Sequence, residues 1–433
     1  MVLSVIATIA LLLLGIAVKA ASRDWLYPGV LFCVAWAFAG FLAIGLAPED
    51  MSSPAASLWI LLNAVLVSCG TLLGTKMARS SYARRRQAGS SAATQAPASA
   101  DKLRNVTLIS TVVGLGYVLV LLHSQGISIS QILNPREIAK IGMEMSFNRY
   151  GGKVQLSKVE QLLLASVYLG PLLGGTLFVR RRRWKDTVVS FISLCPSFAC
   201  FAVESTRSAV LYGITLFVAA YSATRIGLER PLRRIHFTRG QIVAALSTVP
   251  LLIGLILAGD AIRSGHGKAG QAGADVAGSR VKTYLCGHFA ALSTLIESTN
   301  LEGQAATPGK YTLAGLYELT HPGTRQIGVT GGGIYIPSGF TNVYTYFWEL
   351  ILDYTAPGSL LLVLLLSIGT GFSYLKVAEG RLIWNGVLAT SYAGMLFGIA
   401  SLFNYNSMIL AFFIYAMMCA RPWKRRGEPA WAE

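Results

Sequence analysis

Charge is what this chain has least of, and negative charge above all. Only 13% of its 433 residues are charged, with 20 Asp and Glu against 37 Lys and Arg. Soluble globular chains carry about 25% charged residues, so an ordinary water-soluble domain is excluded. No GxxxxGK[ST] run occurs, which removes a P-loop for ATP. No Asp-x-Asp pair occurs, and no cytoplasmic domain is large enough to house one, which argues against a metal-bound nucleotide sugar drawn from the cytosol. The six cysteines, Cys33, Cys69, Cys195, Cys200, Cys286 and Cys419, form no CxxC and no Cys/His cluster. No metal and no cofactor is therefore expected. All but Cys286 fall inside apolar runs, so no disulfide within the large loop is possible. The apolar runs also lack the acidic or histidine series of a proton relay, which argues against an ion-coupled carrier.

What is present is hydrophobic sequence, 53% of the chain, with a mean hydropathy of +0.54. It is arranged as eleven runs near 2–18, 29–47, 56–75, 105–123, 159–179, 187–203, 208–224, 241–259, 356–375, 383–401 and 406–420. Each approaches the ~20 residues a helix needs to cross ~30 Å of hydrocarbon. The first lacks a basic leader and a small-residue cleavage site, so it reads as a retained span. The expectation is an all-α polytopic membrane protein with about eleven transmembrane helices and a large external loop. Three parts follow: eight spans over 1–259, the loop over 260–355, and three spans with a basic tail over 356–433.

The net charge of +17 does not mean nucleic acid. It sits in short runs beside apolar segments, and no basic, aromatic-interleaved soluble domain exists. Alternate loops, those holding Lys19, Arg84 to Arg86, Arg180 to Arg183, Arg225 to Arg239, Lys376 and Arg421 to Arg426, carry 25 of the 37 basic residues and seven acidic ones. By the positive-inside rule they are cytoplasmic, with the N-terminus outside and the C-terminus inside.

The 96 residues from Asp260 to Thr355 form the only extramembrane segment large enough to hold a substrate. They contain three of the five histidines and 15 of the 44 glycines. Tyr284 to Ile296 is apolar but too short to span, so it should pack on the bundle or lie at the interface. Phe340 to Trp348 reads as an aromatic interfacial anchor. In the earlier outer loop, Asn134-Pro-Arg-Glu137 signals a helix start, and Ile138, Ile141 and Met145 follow at helical spacing.

The groups able to do chemistry are cationic. Arg207, in Glu204-Ser-Thr-Arg207-Ser, either pairs with Glu204 or meets an anionic head group, since guanidinium matches phosphate oxygens in bidentate fashion. Arg280, Arg325, Arg136 and Arg149 are ordinary solvated arginines or, if they converge, a pyrophosphate clamp. His321, in Glu318-Leu-Thr-His321-Pro-Gly, is a turn residue or a general base for a sugar hydroxyl. His266 and His288 are weaker candidates for that role, and Glu318, Glu349 and Asp353 are carboxylate alternatives.

At Ser338-Gly-Phe-Thr-Asn-Val-Tyr-Thr345, followed by Asp353-Tyr-Thr-Ala-Pro-Gly358, the chain resembles the Wzy-type O-antigen and oligosaccharide repeat-unit polymerases. Thr341, Asn342, Val343, Tyr344, Thr345, Asp353 and Gly358 carry the match. Tyr354 is followed by Thr-Ala-Pro where the family usually has Phe-Gly or Tyr-Gly directly after the Asp. The Ser-Thr-Arg207-Ser turn and Asp24-Trp-Leu-Tyr-Pro28 also look similar. The resemblance implies a glycosyltransferase-C-like membrane fold in the bacterial inner membrane and a metal-independent, inverting transfer of glycan. Donor and acceptor would be undecaprenyl-pyrophosphate-linked, with membrane lipids and a chain-length regulator protein as further partners. Asn342, Tyr344 and Thr345 would hydrogen-bond sugars or only cap and pack their segment, and Asp353 would join the substrate-binding set. The rivals are an O-antigen ligase of the same architecture and a lipid-linked oligosaccharide flippase. The flippase reading predicts an internal repeat and a cationic cavity inside the bundle.

Overall fold

The computed structural model describes residues 1–87, 100–132, 134, 137, 140–142, 144–145, 157–204, 207–228, 254, 271–298, 306–321, 333–341, 344–398 and 406–420. Its helices follow the apolar runs. They are α1 (Val2–Ser22), α2 (Pro28–Leu46), α3 (Ala55–Gln87), α4 (Ala100–Ser124), α5 (Lys158–Arg180), α6 (Trp184–Ile192), α7 (Cys195–Glu204) and α8 (Arg207–Leu228). After the loop helices α9 (Gln271–Ser298) and α10 (Ala314–Thr320) come a hairpin, β1 (Ile334–Ile336) and β2 (Gly339–Thr341), then α11 (Tyr346–Ala378), α12 (Asn385–Phe397) and α13 (Asn406–Ala420). Among the described residues eight helices are long and apolar enough to cross a membrane, counting Trp184–Glu204 as one. The chain is thus an all-α polytopic membrane protein. Apart from Gly254, the expected span over 241–259 lies outside the described residues, and α12 and α13 are apolar but short.

Local sequence explains where the helices begin and break. Pro28 opens α2 at its first turn, where its missing N–H costs nothing. Ser157 and Glu160 form a reciprocal capping box at the start of α5. The single span expected over 187–203 is two helices, α6 and α7. Pro196 has no N–H to continue the ladder, and the Ser193 carbonyl and side chain lie against Gly170 and Gly174 of α5. At the other boundary α11 starts at Tyr346, so the stretch 346–354, assigned to the loop, is helical. Thr355 interrupts that helix with φ 63° and ψ 170°, two residues before Pro357.

Packing is closest between α3 and α11. A Cβ on Gly74 would lie 2.0 Å from the Ile368 carbonyl oxygen, and one on Gly371 would lie 2.0 Å from that of Thr71. The backbones touch there, the small-residue contact that membrane helices use in place of a hydrophobic driving force. One core cluster joins α4, α5, α8, α12 and α13 through Tyr117, Leu172, Leu216, Tyr392 and Tyr415. A second joins α2, α3, α9 and α11 through Phe32, Trp36, Ile60, Phe289 and Phe347. Ile141 and Met145 of the earlier loop, whose helical spacing suggested a short helix lying on the outer membrane surface, are instead buried in the first cluster.

The bundle has two distinct ends. At one, Arg104 and the backbone N–H groups of Arg182 and Arg183 bind Asp186, and Tyr374 donates to Asp24. At the other, the N-terminal amine donates to the Ser52 carbonyl and the large loop docks. We call the latter the loop end. Gly227, near the end of α8, lies against Val377 and Leu382, whereas Lys282 in α9 lies 3.9 Å from Glu49, so the two flank opposite ends.

Candidate functional site

Three described segments of the loop are tied to span ends by specific bonds. The helix α9 lies across α2 and α3. Cys286 donates to the Leu42 carbonyl, Phe289 stacks edge-on against Trp36, Ser293 accepts from the Ala56 N–H, and Glu297 accepts from Ser53. Packing on the bundle is thus what its apolar stretch was for. The hairpin is held by Asp50, in the short turn Pro48–Met51 after α2. Its carboxylate accepts from the Ser338 N–H at 3.0 Å and the Ser338 hydroxyl at 2.6 Å.

The third tie uses the same chemistry. Asp353 of α11 is fully buried and accepts from the Tyr311 N–H (3.0 Å), the Thr312 N–H (2.7 Å) and the Thr312 hydroxyl (2.6 Å). Sequence suggested that Asp353 binds substrate; in the structure its oxygens are occupied by protein donors, and it fixes the segment 306–321. Gly315 lets that segment approach closely, since a Cβ there would lie 2.3 Å from the Asn406 side-chain oxygen at the start of α13.

His321 ends α10 and is exposed. Its ring stacks on Tyr317 with centroids 4.1 Å apart and planes 6° apart, and Nδ1 lies 2.9 Å from the Thr320 hydroxyl. Stacking holds the imidazole in one orientation on a segment that Asp353 fixes. Tyr344 is buried against Trp348, with centroids 4.2 Å apart, and burial pushes its phenol up. Arg207 is the first residue of α8, and nearby Glu204 accepts from the Tyr117 hydroxyl at 3.1 Å. Arg280 lies on α9. The side chains of both arginines, and all of Arg136, Arg149, Arg325 and Asn342, lie outside the described residues.

Thr345 stands directly before α11, where a threonine ordinarily caps the helix with its hydroxyl. Here it makes no cap bond, and its hydroxyl is buried without a partner. Trp36 Nε1 and His288 Nδ1 are likewise buried and unbonded, and the two rings are 6.0 Å apart. Trp36 also packs on Tyr346 and Phe347, while Gly398 accepts from the Tyr346 N–H and lies against the Trp36 ring. Burial alone drives the His288 pKa down to about 4, so at neutral pH its ring is uncharged. Each such unbonded buried atom costs roughly 1–3 kcal/mol. Sequence reading ranked His288 low and passed over Trp36, because neither stands in a motif; their shared feature is long-range packing.

Compared with protein-family models, with curated proteins and with solved structures, the chain matches none.

Proposed function

We propose that the chain is a glycosyltransferase that polymerises undecaprenyl-pyrophosphate-linked oligosaccharide repeat units into O-antigen or exopolysaccharide. It works at the periplasmic face of the inner membrane, with its N-terminus periplasmic, its C-terminus cytoplasmic and a glycosyltransferase-C-like fold. The observation that carries this reading is the loop end itself. Buried hydrogen-bonding groups without protein partners gather there, beside an extramembrane segment anchored by two carboxylates. Unspent donors and acceptors suit a ligand made of hydroxyl groups.

In the reaction, the acceptor sugar hydroxyl attacks the anomeric carbon of the donor and inverts it. The bond from that carbon to the pyrophosphate oxygen breaks, and the electron pair leaves with the lipid pyrophosphate. His321 takes the hydroxyl proton as general base. Arg207 and Arg280 stabilise the charge developing on the leaving group, with Arg136, Arg149 and Arg325 extending the clamp. Asn342, Tyr344 and Thr345 hydrogen-bond sugar hydroxyls, and Asp353 acts through the segment it holds. Neither metal nor cofactor enters, because the donor arrives already activated.

Deleting the gene and resolving surface glycan by gel should abolish the ladder of long chains; an unchanged ladder overturns the proposal. With purified protein and lipid-linked repeat units, His321→Ala should lose most turnover at every pH, and wild-type rates in that variant exclude the assigned base.

A further inference from the structure

The hairpin of β1 and β2 presents two aromatic rings to the outside. Tyr335 is 86% exposed and Phe340 57% exposed, and they face one another across the register with centroids 5.1 Å apart. These rings are held, not loose. Ile336 on the opposite face sits on Gly287 of α9, where a Cβ would lie 2.6 Å from its terminal methyl. Ser338 is bound by Asp50, and its carbonyl accepts from Thr283. Gly333 lies flat under Phe340, where a Cβ would fall 1.9 Å from the ring. The turn is Pro337-Ser338, followed by Gly339 at φ 138°, a conformation that glycine tolerates.

The contacts also fix the height of the rings. Asp50 stands four residues beyond Leu46, the last residue of α2, and α9 touches both Leu42 of α2 and Ala56 of α3. The hairpin therefore sits level with the ends of two spans, where Leu46 and Leu58 are also exposed. That level is the boundary between hydrocarbon and head groups, where aromatic rings are enriched.

We propose that Tyr335 and Phe340 insert into the lipid head-group boundary and fix the large loop at a set depth on the bilayer. The phenol oxygen of Tyr335 faces the head groups, and both rings lie among the upper acyl carbons. This assignment rests on geometry alone and is independent of the reaction proposed above. It also moves the anchor expected over Phe340 to Trp348, since Tyr344 and Phe347 of that stretch are buried.

The test uses the full-length protein in nanodiscs of phosphatidylethanolamine and phosphatidylglycerol, with its native cysteines replaced by serine. A nitroxide is placed at Tyr335→Cys, at Phe340→Cys and, as a reference, at Thr320→Cys, which is also exposed. At 335 and 340 collision with oxygen should exceed collision with a water-soluble nickel chelate several-fold; at 320 the order should reverse. Nickel access at 335 and 340 equal to that at 320 overturns the proposal. So does access that falls only when lipid-linked oligosaccharide is added, which would make the rings a sugar platform. Because both side chains project outward, their variants should fold. Amide exchange over 334–341 gives a label-free check: protection must be greater in nanodiscs than in detergent, and equal protection counts against insertion.

Discussion

The two ends of the bundle spend their polar groups differently. At the end away from the loop, Tyr374 donates to Asp24, Tyr27 pairs with Thr75 at 3.1 Å, Tyr392 donates to the Leu26 carbonyl and Lys376 reaches Glu379 at 3.1 Å. At the loop end Trp36, Ser57, Trp59, His288, Thr345, Trp348 and Asn406 each bury a side-chain nitrogen or oxygen without a partner. Among the described residues only Arg180 and Asn385 do so at the far end, and Ser197 does so midway along the Trp184–Glu204 span. The far end is therefore built to hold shape, and the loop end keeps hydrogen-bonding capacity in reserve. Protein evolution rarely leaves buried polar groups unmet, so the contrast marks where a polar ligand belongs.

Breaking the rigid frame should have the largest effect. Gly74→Leu places a side chain inside the backbone of α11, a clash no rotamer relieves. The expected outcome is loss of the folded monomer in size exclusion. Next is Asp353→Ala, which strands two buried N–H groups and a hydroxyl. A loss of about 4 kcal/mol is expected, seen as rapid proteolysis near residue 311. Turnover should drop at least tenfold, with partial recovery in Asp353→Asn.

A pH series isolates His288. Its folded pKa lies below its unfolded value, so the folded protein binds fewer protons. Stability is full above about 6.5, declines as the pH falls and levels off once it passes about 4. The total is roughly 3 kcal/mol, and His288→Leu should flatten the curve in acid unfolding experiments. The finest comparison sets two hydroxyl deletions side by side. Tyr374→Phe removes a donor to Asp24 and should cost about 2 kcal/mol. Thr345→Val removes a buried hydroxyl that bonds nothing, so the melting temperature should hold or rise while KM rises. Equal destabilisation by the two would erase the distinction between the ends.

Much of the frame was legible in the sequence, because ~20 apolar residues have few alternatives to a spanning helix. The break between α6 and α7 was missed, since a run of apolar residues hides a proline that packing exploits. Asp353 stood out by its motif, but its partners are 41 and 42 residues away, so its anchoring role was invisible. The anchoring role of Asp50 was invisible for the same reason: Ser338 is 288 residues distant. The unbonded groups could not be read at all. An unmet hydrogen bond is a property of surroundings, and periodicity says nothing about it.

Thr355 carries one more consequence. Its backbone angles belong to a region that glycine occupies cheaply and a β-branched residue only at about 1–3 kcal/mol. The helix on its far side restarts with Pro357 in its opening turn, as a newly begun helix would. The chain therefore changes direction at Thr355, and the piece bearing Thr345 and Asp353 is set at its own angle to the Gly371 seam. Thr355→Gly would relieve the strain at that joint and make its angle less costly to change.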